Sequence, residues 1–205
     1  MKEYKPVLVI GALVLVLIVA VAVISAFWPR YEERFFELGL LGSNKMAEDY
    51  YPDGNSTLRI GSDVLWYIYI HNHMGSVQDV LVRVKLLNST MLVPDDREHV
   101  PSPAPFFFEL PVSLDIDETR MIPFSWSILE VDDAGNNSIA VDRLLVNDQT
   151  VDVGVSSFSD DRYRMVFELW VYDQPSNEYG FGWDSGKGFY SVSLYMWFRT
   201  TTDAV

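Results

Sequence analysis

The chain has no cysteine. That excludes a disulfide framework, a thiolate metal site and a cysteine nucleophile, and it leaves the redox compartment open. Basic residues are scarce. Fifteen Lys and Arg stand against 29 Asp and Glu, a formal net charge of −14 over 205 residues. Such a surface repels phosphate backbones and anionic headgroups, so nucleic acid is not expected as a partner. The short patterns that name a chemistry are missing too: there is no Gly-x-Ser-x-Gly elbow, no phosphate loop and no His-Glu-x-x-His. Carboxylates are plentiful, but abundance identifies no catalytic pair. The sequence predicts neither an enzyme nor a cofactor.

A further absence is local. Residues 7–28, VLVIGALVLVLIVAVAVISAFW, hold no charged side chain. A helix of that length, at about 1.5 Å rise per residue, crosses the ~30 Å hydrocarbon core and satisfies its own backbone there. Residues 1–29 are therefore expected to be a short cytoplasmic tail and a transmembrane anchor in the lipid bilayer, and residues 30–205 an extracytoplasmic domain. Pro6 suits a helix start, Pro29 a stop, and Trp28 and Tyr31 the interface. Lys2 and Lys5 on one side are balanced by Arg30 and Arg34 on the other, so orientation rests on the short tail and on three Asn-x-Ser/Thr triplets. Those triplets make Asn55, Asn88 and Asn136 candidate glycosylation sites. The apolar run is too long for a cleaved signal peptide, and Ile24-Ser25-Ala26 is a poor cleavage site. A pilin-like filament subunit is the alternative, although Tyr4-Lys5-Pro6 lacks the small residue that processing needs.

Beyond the anchor, removing Lys2, Lys5 and Glu3 leaves 13 basic and 28 acidic side chains, a net −15. Aromatics reach 14% and the hydrophobic period becomes two, both of which favour strands. Strands are predicted over 35–40, 64–71, 80–87, 106–114, 120–128, 139–146, 151–158, 163–172 and 190–199, with turns at 49–56, 115–118 and 132–137. Residues 64–71 and 80–87 read as a hairpin, with Leu81, Arg83 and Lys85 facing out. Prolines make 94–105 a loop. Many short strands without crossover helices imply an all-β fold, an immunoglobulin-like antiparallel β-sandwich lacking the disulfide.

The stretches RFFELGLLGSNKMAEDYYP, IGSDVLWYIYIHNHMGSVQDVLVRVKLLN, YRMVFELWVYD and FYSVSLYMWF resemble the outer domain of an archaeal membrane-protein family catalogued as domain of unknown function 1616. The matching positions are 35–42, Tyr51-Pro52, Asn72-His73 and 194–197, at both ends of the region 34–199 and outside its middle, 91–160. The resemblance implies an archaeal envelope protein with an outward sandwich domain, and it implies no catalysis. The expected role is a non-catalytic structural or interaction component of the envelope, with an accessory subunit of a membrane complex as a further alternative.

Three constellations remain. His71 and His73, two apart on a strand, share a face, but neither His99 nor Asp79 is spaced as a third ligand, so no metal site is expected. Acidic clusters at 115–118, 132–133 and 160–161 lie in separate turns without an EF-hand spacing and read as solvated, with calcium as the sharper alternative. The loop 174–188, QPSNEYGFGWDSGKG, sets Tyr179, Phe181 and Trp183 among glycines. These rings are candidate partner-binding anchors, for other envelope proteins or glycans, or else a hydrophobic cap folded onto the sandwich end.

Overall fold

The computed structural model describes residues 5–27, 33–135, 138–157 and 162–204. They fall into two compact units divided between Glu32 and Glu33. The first is a single helix, α1 (Lys5–Phe27). Leu13, Val14, Leu15, Val16, Leu17, Ile18 and Val19 are all exposed on it, so no apolar face is set apart from a polar one. Among the described residues no helix is long and apolar enough to cross a membrane. The side chains of residues 5–9, 12 and 24–27, which complete the apolar run in the sequence, lie outside that description.

The second unit is all strand: β1 (Phe36–Leu41), β2 (Thr57–Ile60), β3 (Val64–Asn72), β4 (Gln78–Asn88), β5 (Phe106–Leu114), β6 (Thr119–Gly135), β7 (Ser138–Val146), β8 (Gln149–Ser156), β9 (Arg162–Asp173), β10 (Glu178–Phe181), β11 (Trp183–Asp184), β12 (Phe189–Tyr190) and β13 (Ser193–Ala204). One sheet runs β1-β3-β6-β7-β8 and the other β2-β13-β9-β4-β5, with β10 on β9 beyond the end of β13. The two sheets enclose one core. Trp66 of β3 is fully buried and meets Phe124 and Trp126 of its own sheet and Phe167 of the other, at ring distances of 5.2–6.4 Å. Phe198 of β13 closes the group against Trp126 at 5.0 Å. Each such ring buries about 150–250 Å², so this cluster dominates the stability of the head.

The predicted hairpin between 64–71 and 80–87 does not form. β3 pairs with β1 and β6, and β4 with β5 and β9, in the opposite sheet. Period two reports which face of a strand is apolar; it does not report which neighbour the strand takes. The connection is a corner. Asn72, fully buried, donates to the carbonyls of Ser76 and Asp115 at 2.9 Å and of Leu114 at 3.3 Å, and accepts from Met74 N–H. Lys85 and Leu81, expected outside, are buried: the 94–105 loop reaches Lys85 through the Ser102 carbonyl, and Leu81 stands in register between Pro111 and Trp170. The turn expected at 132–137 is displaced, since β6 stays paired with β7 as far as Gly135.

The sandwich is not wholly antiparallel. β2, absent from the expected strands, pairs parallel to β13. Prolines obey the ladder rule: Pro111 lies on edge strand β5, and Pro123 lies in the part of β6 before pairing with β7 begins at Trp126.

Candidate functional site

The outward face of β3 carries Tyr67, Tyr69 and His71, while Trp66, Ile68, Ile70 and Asn72 point into the core. Across three strands, Glu37 of β1, His71 of β3 and Thr119 of β6 stand in one row. His73, just past the strand, falls on the same side. Its ring lies 3.8 Å from that of His71 and stacks on Phe35 at 4.3 Å.

Each imidazole has one fixed neighbour. His71 Nδ1 is 2.6 Å from Thr119 Oγ1, and His73 Nε2 is 3.1 Å from Glu37 Oε1. His71 Nε2 is buried and has no hydrogen-bond partner. The His73 ring first, and then the Tyr69 hydroxyl that donates to Oε2, hold the Glu37 carboxyl below the usual carboxylate range.

The third member comes from the turn between β5 and β6. Asp117 sits there with φ of 56°, a left-handed conformation that Asp tolerates better than most residues. One ligand atom each from His71, His73 and Asp117 lie within 4.8 Å of one another. Among the described residues this is the one group of three or more such side chains close enough to share an ion. The turn is held firmly: Asn72 N–H donates to Glu118 O, Asp117 N–H donates to Asn72 O, and the Asn72 side chain grips Asp115 O. Glu118 braces it from within, accepting from Asp115 N–H and from Arg120. The Arg120 bond is the larger cause holding the Glu118 carboxyl low.

The ligands weighed from spacing lie elsewhere. His99 Nδ1 is 3.2 Å from Ser191 Oγ, and its ring meets Phe189 edge-on. Asp79 pairs in register with Ser113. Asp117, 44 residues beyond His73, belongs in the sequence to a turn that reads as solvated. No spacing rule reaches that far. The signal that points to it is buried Asn72 between the histidines, a polar residue in an apolar strand that needs backbone partners from another turn. Of the acidic pairs, 160–161 lies outside the described residues.

Of the loop aromatics, Trp183 and Phe181 are buried and Tyr179 is half-buried. Trp183 packs edge-on against Phe36 and donates to Arg34 O at 3.1 Å, Phe181 packs on Trp170, and Tyr179 meets Tyr172. Trp183 joins the core, whereas Phe181 and Tyr179 stand in register with Trp170 and Tyr172, on the face of β9 opposite core residues Leu169 and Val171. A cleft of about 480 Å³ remains beside the rings, lined by Met74, Gln78, Tyr172, Tyr179, Trp183 and Phe189 among others. Of the triplet asparagines, Asn55 is exposed and accepts from Thr57 N–H. Asn88 donates to Ser156 O and accepts from Thr90 and Met91, which occupies both ends of its amide. Asn136 lies outside the described residues.

No family model matches the sequence. No curated protein matches it either. Among solved structures, the chain is similar to the CARDB domain of a Pyrococcus furiosus protein solved in complex with di-metal ions. The TM-score is 0.40 at 10% identity, over 84% of this chain and 97% of that one. It is also similar to a beta-glucosidase of Listeria innocua in complex with gluconolactone. There the TM-score is 0.38 at 11% identity, over 87% of this chain but only 18% of the enzyme.

Proposed function

We propose that this chain is a non-catalytic, membrane-anchored component of a cell envelope that displays an immunoglobulin-like head outside the membrane. The observation that carries the reading is the pairing of an uncharged apolar run at 7–28 with a head that buries its own complete aromatic core. A helix apolar all round needs an apolar solvent. The sheet order β13-β9-β4-β5, with β2 parallel to β13, supports the immunoglobulin-like assignment because it repeats the G-F-C-C′ sheet of that fold. The other sheet departs from the fold in its order, with β6 directly beside β3 and β7 and β8 beyond it. The likeness to domain of unknown function 1616 adds an archaeal setting. Partner contact falls to the cleft beside Tyr179 and Trp183, and glycan attachment to Asn55 before Asn88, whose amide is already engaged.

Carbonate extraction of native membranes, followed by protease treatment of intact cells, tests this reading. The chain should stay in the membrane fraction and lose residues 35–205 to external protease. Release by carbonate, or a head that resists protease while known surface proteins are shaved, refutes it. A filament subunit would instead sediment as fibres and carry a trimmed N-terminus.

A further inference from the structure

We propose that His71, His73 and Asp117 bind one divalent transition-metal ion of the zinc class, with Glu37 and Thr119 orienting the two imidazoles. Two imidazoles and a carboxylate suit zinc and its first-row neighbours, and they disfavour calcium and magnesium, which take oxygen ligands.

The arrangement has the features that separate a binding site from a chance cluster. First, each histidine has a partner of the kind that fixes a metal-ligand ring. Thr119 sits on Nδ1 of His71, and the Glu37 carboxylate sits on His73. Second, His71 Nε2 is buried and has no hydrogen-bond partner, and in the tautomer whose Nδ1–H donates to Thr119 Oγ1 it presents a lone pair. A buried acceptor left without a partner costs about 1–3 kcal/mol, so a cation there relieves a real deficit. Third, the three residues come from rigid places. His71 is in a central strand, His73 leaves it beneath the Phe35 ring, and Asp117 stands on a turn that Asn72 holds from both sides.

The distances fit. Zinc bonds of about 2.0–2.2 Å place tetrahedral ligand atoms roughly 3.3–3.6 Å apart. The atoms here lie within 4.8 Å, and exposed Asp117 can rotate to close the remainder. Three protein ligands leave a position for water or for a side chain of a second protein.

Zinc is titrated calorimetrically into the untagged, chelator-stripped full chain in mild detergent, with calcium and magnesium in parallel. We expect one zinc ion per chain with dissociation in the micromolar range or tighter, a rise in melting temperature on binding, and no such response to calcium or magnesium. His73→Gln and Asp117→Asn should each weaken zinc binding at least 100-fold. Glu37→Gln should weaken it 10–100-fold, as loss of an orienting partner does. His99→Gln and Asp79→Asn should change it less than twofold. His73 and Asp117 are not core residues, and asparagine tolerates the left-handed backbone at position 117, so the zinc-free variants should melt where the wild type does. Zinc binding weaker than millimolar, binding that survives both ligand substitutions, or a preference for calcium overturns the assignment. None of these outcomes depends on where the head is displayed.

Discussion

Removing the charges of Lys85 and Glu168 together should destabilise the head by less than the sum of removing each alone. Lys85 Nζ lies 2.8 Å from Glu168 Oε2, and the two side chains are 5% and 0% exposed. Glu168 serves two further donors: Ser102 N–H at 2.7 Å on Oε1 and Trp170 Nε1–H at 3.0 Å on Oε2. Lys85 Nζ also donates to Ser102 O at 2.6 Å, so the pair ties the 94–105 loop to β4 and β9 at both ends of one residue. Lys85→Met keeps the stem and deletes the ammonium, which leaves a carboxylate in the interior without its counter-charge. Breaking a buried pair in this way costs about 3–5 kcal/mol. For a unit of this size that lowers the melting temperature by roughly 6–20 °C. In the double variant Lys85→Met/Glu168→Gln no charge is stranded, and the amide oxygen that replaces the carboxylate can still accept from Ser102 N–H. The combined loss should therefore fall short of the sum of the single losses by about 2 kcal/mol or more, within the range measured for contacting residues. Urea unfolding of all four proteins, followed by tryptophan fluorescence, gives the cycle. Additive single effects, or a Lys85→Met cost under about 1 kcal/mol, would refute the claim that this charge pair is desolvated and mutually dependent.

Trp183→Ala removes a core ring and its bond to Arg34 O, and should cost about 3–5 kcal/mol in the same assay; an unchanged melt would show that the ring is not part of the core. Gly42→Ala would drive a Cβ into the Glu48 carbonyl and to 2.7 Å from Asp49 O, so a loss of about 1–3 kcal/mol is expected, with broadened NMR signals for 42–49. Burial first, and then the facing Asp132 and Glu130 carboxylates, raise the Asp142 carboxyl above its ordinary value of 3.8. A raised acid binds its proton more tightly in the folded state, so its charged form opposes folding at neutral pH and that penalty fades as pH falls toward 3.8. Asp142→Asn should therefore stabilise the protein at pH 7 and lose its advantage near pH 4; a destabilising effect at pH 7 contradicts the sign.

The strands are legible in the sequence because each carries its own evidence. The alternation in VLWYIYIH sorts the residues of β3 into two apolar faces that both read as covered, and the structure buries only the one that holds Trp66, Ile68 and Ile70. What escapes is whatever depends on a distant partner. Lys85 looks like a solvent residue until Glu168, 83 positions later, is brought beside it. The four residues of β2 have too few side chains to show a period, and their partner lies more than 130 residues away. His71 and His73 are visible as a pair, whereas Asp117 joins them only through the corner that Asn72 builds. The loop rings can be named as aromatic anchors, but where each one turns is set by Phe36, Trp170 and Tyr172, which belong to other strands.

The place of β13 has a consequence for how the head is made. It is the last of the described strands, yet it lies between β2 and β9 inside its sheet. A nascent chain that stops short of residue 193 would leave β2 with nothing to bond to and one side of β9 bare along most of its length. The head therefore cannot settle in stages as it is synthesised. It must wait for β13 and then join that strand to a segment laid down early, a slow, long-range closure during which raw strand edges are open to neighbours.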